Sequence, residues 1–93
     1  MPVFAVTYRY GAGTDAVRDE VRPAHRAWLA EQNAAGRVLA SGPKPGKPEA
    51  LLVWSAQDEA ELEGFLANDP FAAASVIERT TIEAWDPVIG PWG

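Results

Sequence analysis

The distribution of apolar residues along the chain predicts four strands. Residues 2–10 are rich in β-branched and aromatic side chains and are apolar on both faces, which favours a first strand. Further strands are predicted at residues 37–42, 50–56 and 76–85. The third strand, residues 50–56, shows no polar alternation, which is typical of a strand that is covered on both faces.

Two helical segments separate these strands. The first is predicted from residue 14 or 15 to about residue 35, because apolar residues recur at helical spacing and a glycine follows. Its predicted buried stripe comprises Val17, Val21, Ala24 and Trp28. Pro23 lacks an amide hydrogen and should bend or restart this helix. His25 would then lie in the first turn after the bend, at the edge of the packed face.

The second helix is predicted to open at Ser55 or Gln57, ahead of an acidic run, and to continue to about Ala67. Asn68-Asp69-Pro70 should end it, and one more helical turn is expected over residues 71–75.

The order βαββαβ predicts an α+β fold of the ferredoxin-like type. Its four-stranded antiparallel sheet would place the first and third strands in the centre, because these two are apolar on both faces. Helices would cover one face of the sheet. The other face is apolar as well, so we expect a second copy of the chain to cover it in a homodimer.

Composition narrows the function classes. A length of 93 residues, 47% of them apolar, predicts one globular domain over residues 1–93, with residues 87–93 as a C-terminal tail. The net charge of −5 argues against nucleic-acid binding. The absence of Cys and the single His exclude thiolate nucleophiles and His-based metal clusters, so we expect no metal and no other cofactor. With no apolar run near 20 residues and no signal region, a cytoplasmic protein is expected.

Charge is unevenly distributed between the two halves of the chain. Residues 1–48 carry seven Lys or Arg and four Asp or Glu, whereas residues 49–93 carry one Arg and nine Asp or Glu. In one interpretation the two halves attract each other across the fold. In the other, Arg18, Arg22 and Arg26 give the first helix a positive field suited to an anionic ligand.

The sharpest functional signal is a His and an Asp in Pro-flanked runs. His25 closes the run Arg22-Pro23-Ala24-His25, and Asp69 opens the run Asp69-Pro70-Phe71. Imidazole can both take and give a proton near neutral pH, and a carboxylate bonded to its far nitrogen would fix its tautomer. The alternatives are a packing histidine and an aspartate that only forms a turn before proline. The two residues must meet in space for the catalytic interpretation to hold.

Three other features have competing interpretations. Gly11-x-Gly13-x-x-Ala16 superficially fits a dinucleotide fingerprint, but the chain lacks the repeated parallel units that such a cofactor needs. Ser41 and Gly42 either offer donors to a ligand or merely end a strand at a Gly-Pro turn. Trp92 in the tail either docks on a neighbouring subunit or caps a pocket.

The runs Arg22-Pro23-x-His25, Gly36 to Pro43, Asp69-Pro70-Phe71 and Ala84-Trp85 together resemble the YCII-related domain family, over about residues 2–86. This resemblance implies a dimeric α/β-barrel of ferredoxin-like subunits, similar in fold to muconolactone isomerases and cofactor-independent monooxygenases. It implies a catalytic His–Asp pair at His25 and Asp69. The best-understood activity of the family is dehydrochlorination of a chlorinated hydroxyhydroquinone.

Three hypotheses of function follow. The first is a cofactor-free lyase or isomerase for a cyclic or aromatic metabolite, possessing an anionic or phenolic group, in which His25 takes a proton and Asp69 orients the imidazole. The Ser41–Gly42 turn would hold an oxygen that gains negative charge. The predicted substrate-binding residues are Arg22, Ser41, Gly42, Pro43, Phe71 and Tyr8. The second hypothesis is a metabolite-binding module without chemistry, and the third is an oxygen-using monooxygenase, suggested by fold analogy alone.

Overall fold

The computed structural model describes residues 2–92 as a four-stranded sheet with three helices. Its elements are β1 (Val3–Tyr10), α1 (Asp15–Ala34), β2 (Val38–Pro43), β3 (Glu49–Ser55), α2 (Glu59–Leu66), α3 (Pro70–Ala73) and β4 (Ile77–Trp85). The sheet is antiparallel with the order β2-β3-β1-β4. The predicted ferredoxin-like α+β fold is therefore confirmed, with β1 and β3 in the centre. The predicted strands agree with the observed ones to within one residue at each end.

The core lies between the sheet and the helices. Alternate residues of β1 point into it, as the period of two in a strand requires. The buried apolar residues of the strands include Phe4, Val6, Tyr8, Tyr10, Val38, Ala50, Leu52 and Trp54. The helices and the segments beside them contribute Leu62, Leu66, Phe71 and Val76.

Helix α1 differs from its prediction in two ways. It is one helix from Asp15 to Ala34, so of the two predicted alternatives at Pro23, a bend or a restart, the restart is wrong. Pro23 is exposed, and the backbone carbonyl four residues earlier can be hydrated where the proline provides no donor. The predicted buried stripe is also wrong in part, because Val17 is 42% exposed and Ala24 is exposed.

The buried residue of α1 is His25, which lies in the packed face and not at its edge. Val21, Trp28 and Leu29 pack beside it against the core. Arg18 lies over the ring of Tyr10 with its guanidinium carbon 4.4 Å from the ring centroid. The guanidinium of Arg18 therefore covers one face of the Tyr10 ring.

Helix α2 begins one residue after Asp58, which was not among the residues predicted to cap it. The predicted caps, Ser55 and Gln57, are wrong, because the cap is Asp58, whose side chain accepts a hydrogen bond from the amide of Glu61 at 2.8 Å. Glu61 in return accepts from the amide of Gln57 at 3.1 Å. Two amides at this helix start are thus satisfied by side chains.

The face of the sheet away from the helices is open and apolar. Leu51 and Trp85 are 42% and 45% exposed on it, so β3 is not covered on both faces within one chain. Trp92 returns to this face and meets Trp85 edge to face, with ring centroids 6.4 Å apart. The two tryptophans, with Ala5, Ala40, Leu51 and Val53, line a shallow apolar cavity of about 310 Å³. In this chain Trp92 thus borders a pocket on its own sheet.

A helix needs about 20 predominantly apolar residues to cross a bilayer, and the helices within residues 2–92 do not meet this requirement. None of them has the necessary combination of length and apolar character.

Candidate active site

His25 and Asp69 meet inside the fold although 44 positions separate them in the chain. His25 Nδ1 lies 2.7 Å from Asp69 Oδ1, which is hydrogen-bonding distance. The Asp69 side chain is fully buried, and 10% of the His25 side chain is exposed. The contact on which the catalytic interpretation depends is therefore present in the structure.

Asp69 is fixed by the start of α3. Its backbone is extended, as expected for a residue before proline, and Pro70 occupies the first turn of the helix. Asp69 Oδ1 accepts a hydrogen bond from the amide of Phe71 at 2.9 Å and so caps the helix. The turn-forming role and the contact with His25 are thus performed by the same carboxylate.

Tyr8 supplies the third hydrogen bond of this carboxylate. Its hydroxyl donates to Asp69 Oδ2 at 2.8 Å. Burial raises the pKa of Tyr8, and the adjacent Asp69 charge raises it further, so the phenol remains a neutral donor. Three donors around a buried carboxylate compensate for its loss of water.

These contacts determine which nitrogen of His25 is free. A carboxylate only accepts hydrogen bonds, so Nδ1 carries a hydrogen and donates it to Asp69. Neutral imidazole then has a lone pair on Nε2, and no hydrogen bond within residues 2–92 engages that atom. Nε2 is therefore the nitrogen at which the imidazole can accept a proton.

Aromatic neighbours hold the plane of the imidazole. The ring of Phe71 is stacked on that of His25, with centroids 3.9 Å apart and an interplanar angle of 6°. Trp28 lies beside the imidazole with a centroid distance of 6.4 Å. Stacking and the bond to Asp69 together restrict both side-chain torsions of His25.

The imidazole borders a cavity of about 280 Å³ between α1 and the β2–β3 edge of the sheet. The lining residues are Tyr10, Arg18, Arg22, His25, Arg26, Leu29, Ser41, Gly42, Pro43, Ala50 and Phe71. Asp69 is not among them, because it lies behind His25.

Five of the six predicted substrate-binding residues border this cavity: Arg22, Ser41, Gly42, Pro43 and Phe71. The sixth, Tyr8, does not. It is 1% exposed, and its hydroxyl donates to Asp69. The structure therefore places Tyr8 behind the His–Asp pair, outside the lining of this cavity.

Five further residues line the cavity that were not among the predicted substrate-binding residues. Arg18 and Arg26 belong to the arginines for which the sequence suggested an anionic ligand, and Leu29 lies one helical turn after His25 on α1. Tyr10 and Ala50 come from β1 and β3, and only the three-dimensional fold brings them to the cavity. Burial raises the pKa of Tyr10, an effect that Arg18 partly offsets.

The β2–β3 hairpin that forms the far wall is held by an ion pair. Lys44 Nζ donates to Glu49 Oε1 at 2.9 Å, and this bond lowers the pKa of Glu49. Arg9 approaches Glu49 at 3.1 Å and Glu78 at 3.7 Å. Basic residues of the first half of the chain thus pair with acidic residues of the second half, through largely exposed contacts of small energetic weight.

Residues 2–92 contain no cluster of side chains with the composition of a metal site. No group of three or more His, Asp or Glu side chains that could hold a metal ion occurs in this part of the chain.

Several solved structures are similar to this chain. A 5-chloro-2-hydroxyhydroquinone dehydrochlorinase from Burkholderia phenoliruptrix, in complex with 2,5-dihydroxybenzoquinone, matches with a TM-score of 0.81 and 26% identity over 90% of this chain and 93% of that chain. An antibiotic biosynthesis monooxygenase matches with a TM-score of 0.62 and 16% identity over 96% and 100% of the two chains. A NIPSNAP family protein from Agrobacterium tumefaciens matches with a TM-score of 0.61 and 19% identity over 94% and 92%.

The last two similarities concern the fold alone, since their identities are low. No curated protein matches the chain. The YCII-related domain matches residues 2–86, which is nearly the whole chain and includes every residue of the cavity described above. The chain therefore belongs to the YCII-related domain family.

Proposed function

We propose that this protein is a cofactor-independent enzyme of the lyase or isomerase type that acts on a small cyclic or aromatic metabolite. The observation that carries the proposal is the buried contact between His25 Nδ1 and Asp69 Oδ1, with His25 forming part of a cavity wall. A general base needs an open lone pair, a fixed orientation and access to substrate. His25 meets these three requirements.

In the proposed reaction, Nε2 of His25 takes a proton from the substrate. The electron pair of the broken bond moves into the substrate, where it either expels a leaving group as an anion or remains until the proton returns elsewhere. The first outcome is an elimination, and the second is an isomerisation. Asp69 stabilises the imidazolium formed in either case, and one such acid–base group contributes about 10²–10⁴-fold in rate.

The far wall supplies groups for a substrate oxygen that gains negative charge. Ser41 carries a hydroxyl donor, and Gly42 leaves the adjoining wall free of a side chain. The cavity, about 280 Å³, is slightly smaller than the usual range of about 300–1,000 Å³ for small-molecule pockets. The similar dehydrochlorinase holds a dihydroxybenzoquinone, which supports a ring substrate of this size for the present chain.

Positioning of the base is assigned to Tyr8 and Phe71. Tyr8 fixes the second oxygen of Asp69, and Phe71 fixes the first through its amide while its ring supports the imidazole. Neither role requires Tyr8 to touch the substrate.

The test is turnover of chlorinated hydroxyhydroquinones and of small lactones, followed by chloride release and by NMR of the products. We expect wild-type turnover, and a loss of at least about 100-fold in His25→Gln. A metabolite that stabilises wild type and His25→Gln equally, with no turnover in either, would contradict catalysis and leave a binding module.

We also propose that the protein is a homodimer in which two open sheet faces pack together. Support comes from the apolar cavity on that face and from Leu51, which is 42% exposed. Leu51→Glu should therefore yield a monomer in light scattering coupled to size exclusion. Val17 is an equally exposed apolar residue on α1, and Val17→Glu serves as the matched control that should remain dimeric. Equal masses for the two variants would contradict the proposed interface.

A further inference from the structure

Guanidinium groups are concentrated around the cavity that contains His25. Arg18, Arg22 and Arg26 all line it, and these are three of the six arginines in the chain. No Asp or Glu is among the lining residues, although the protein has a net charge of −5. The cavity is therefore a cationic region in an acidic protein, which favours an anionic occupant.

Helical geometry places the three arginines in one row. They are four residues apart on α1, so successive side chains are about 6 Å apart along the helix axis. His25 lies between Arg22 and Arg26 in sequence and borders the same cavity. A ligand that reaches the imidazole is thus within the field of the row.

Two of the three cations are already paired within α1. Arg18 donates to Asp15 Oδ1 at 2.6 Å and to Thr14 Oγ1 at 3.1 Å, and its side chain is only 15% exposed. Arg22 is paired with Asp19. Both guanidinium groups therefore already have an acceptor within the protein, although Asp15 and Asp19 are themselves largely exposed.

Arg26 differs from both neighbours. Within residues 2–92 it makes no ion pair and no side-chain hydrogen bond. Its guanidinium presents five donors in a planar arrangement that matches the two oxygens of a carboxylate. A cation at a cavity wall without a protein acceptor is suited to bind an acceptor on a ligand.

We infer that the substrate carries a carboxylate or a comparable planar oxyanion that Arg26 binds, while the reacting part of the molecule faces Nε2 of His25. Arg26 is then the specificity-determining residue of the cavity. The placement of the reacting part of the substrate at His25 rests on the proposed function. The preference of the cavity for an anion does not depend on it. A bound anion would also offset the positive charge that His25 gains when it accepts a proton.

Matched ligands test this inference by calorimetric titration. The probes are benzoate with benzamide and 2,5-dihydroxybenzoate with 2,5-dihydroxybenzamide, since each pair differs only in the anionic group. In wild type, the acid of at least one pair should bind roughly 10-fold tighter than its amide, as expected for a charge-assisted hydrogen bond. Raising the salt concentration should weaken binding of the acid and leave that of the amide unchanged.

Two variants locate the preference. Arg26→Gln should remove the difference between acid and amide. Arg37→Gln is the matched control, because Arg37 is exposed and lies outside the cavity lining, and it should keep the preference. The inference is overturned if neither acid binds wild type more tightly than its amide, whether or not the amides bind. It is also overturned if Arg26→Gln still binds the acid more tightly than the amide.

The outcomes separate this inference from the proposed function. Turnover of a ring substrate without any preference for acids would leave the function standing and remove the role of Arg26. A preference for acids that is lost in Arg26→Gln, with no turnover of any substrate, would leave the anion site standing and remove the enzymatic proposal.

Discussion

Replacing the buried carboxylate by its amide, Asp69→Asn, is the most informative single change. The side chain keeps its shape but loses its charge and one of its two acceptor oxygens. In the native protein that carboxylate accepts hydrogen bonds from the Tyr8 hydroxyl, the Phe71 amide and His25 Nδ1. The variant cannot reproduce all three with the same donors.

The magnitude follows from these three bonds. With its carbonyl oxygen at the native Oδ1 position, the new amide still accepts from Phe71 and His25, but each bond is weaker by about 1 kcal/mol because the acceptor is neutral. Its nitrogen then faces Tyr8, whose hydroxyl can rotate to accept. Removal of a buried charge offsets part of the loss. We expect the free energy of unfolding to fall by about 1–2 kcal/mol.

The variant should also change the tautomer of His25. If the amide turns over, its nitrogen donates to Nδ1, and the imidazole hydrogen moves to Nε2. Long-range proton–nitrogen NMR distinguishes the two tautomers, and the signal is unambiguous because the chain has one histidine. Wild type should show hydrogen on Nδ1, and the variant should show a mixture of the two forms.

Urea unfolding monitored by tryptophan fluorescence measures the stability. Tyr8→Phe is the control, because it removes one partner of Asp69 and leaves the contact with His25 in place. The reasoning is refuted if Asp69→Asn shows wild-type stability and a wild-type tautomer. It is also refuted if Tyr8→Phe changes the tautomer as much as Asp69→Asn does.

Three further predictions concern residues around this site and the helix that leads to it. The pKa of Tyr8 is raised in the folded protein, so its contribution to stability is complete below pH about 10. Above that pH only the unfolded chain loses the proton, and stability should fall by up to about 1.4 kcal/mol per pH unit. Tyr8→Phe should make the decline of urea midpoints between about pH 9.5 and 11 shallower, and an unchanged slope would contradict this. Asp58→Ala should lower the free energy of unfolding by about 1 kcal/mol, because it removes the cap of α2. Gln57→Ala should change it by less than half as much, and equal effects of the two substitutions would argue against the observed cap. Phe71→Leu should cost about 1 kcal/mol, because the rings of Phe71 and His25 stack at 3.9 Å, and thermal unfolding that matches wild type would show that the stack contributes little.

The arrangement of the sheet could be predicted from the sequence, because it depends on a local property, the apolar character of each face of a strand. β1 and β3 are apolar on both sides, and a strand of that kind belongs in the centre of a sheet. The Pro-flanked runs pointed to His25 and Asp69 individually, whereas their meeting in space was a condition that spacing alone could not establish. The cap geometry at Pro70 is local and explains why the carboxylate is rigid. These features depend on a few neighbouring residues.

The errors arose where a distant contact overrides a local preference. Val17 is apolar but exposed, whereas the cationic Arg18 packs its guanidinium over the ring of Tyr10. His25 is polar but buried, because Asp69 satisfies it. The bond from Tyr8 to Asp69 spans 61 positions and depends on how α3 is placed against β1, which periodicity alone does not determine.

Tyr8 lies on β1, a central strand of the sheet, and this position should limit motion around the cavity. This strand is hydrogen-bonded to β3 on one side and to β4 on the other, so its amides should exchange with solvent deuterium only when the whole domain unfolds. Through the phenol, the His–Asp pair is anchored to that slowest-exchanging part of the molecule. The geometry around the imidazole should therefore persist between ligand encounters and should not have to form anew at each one.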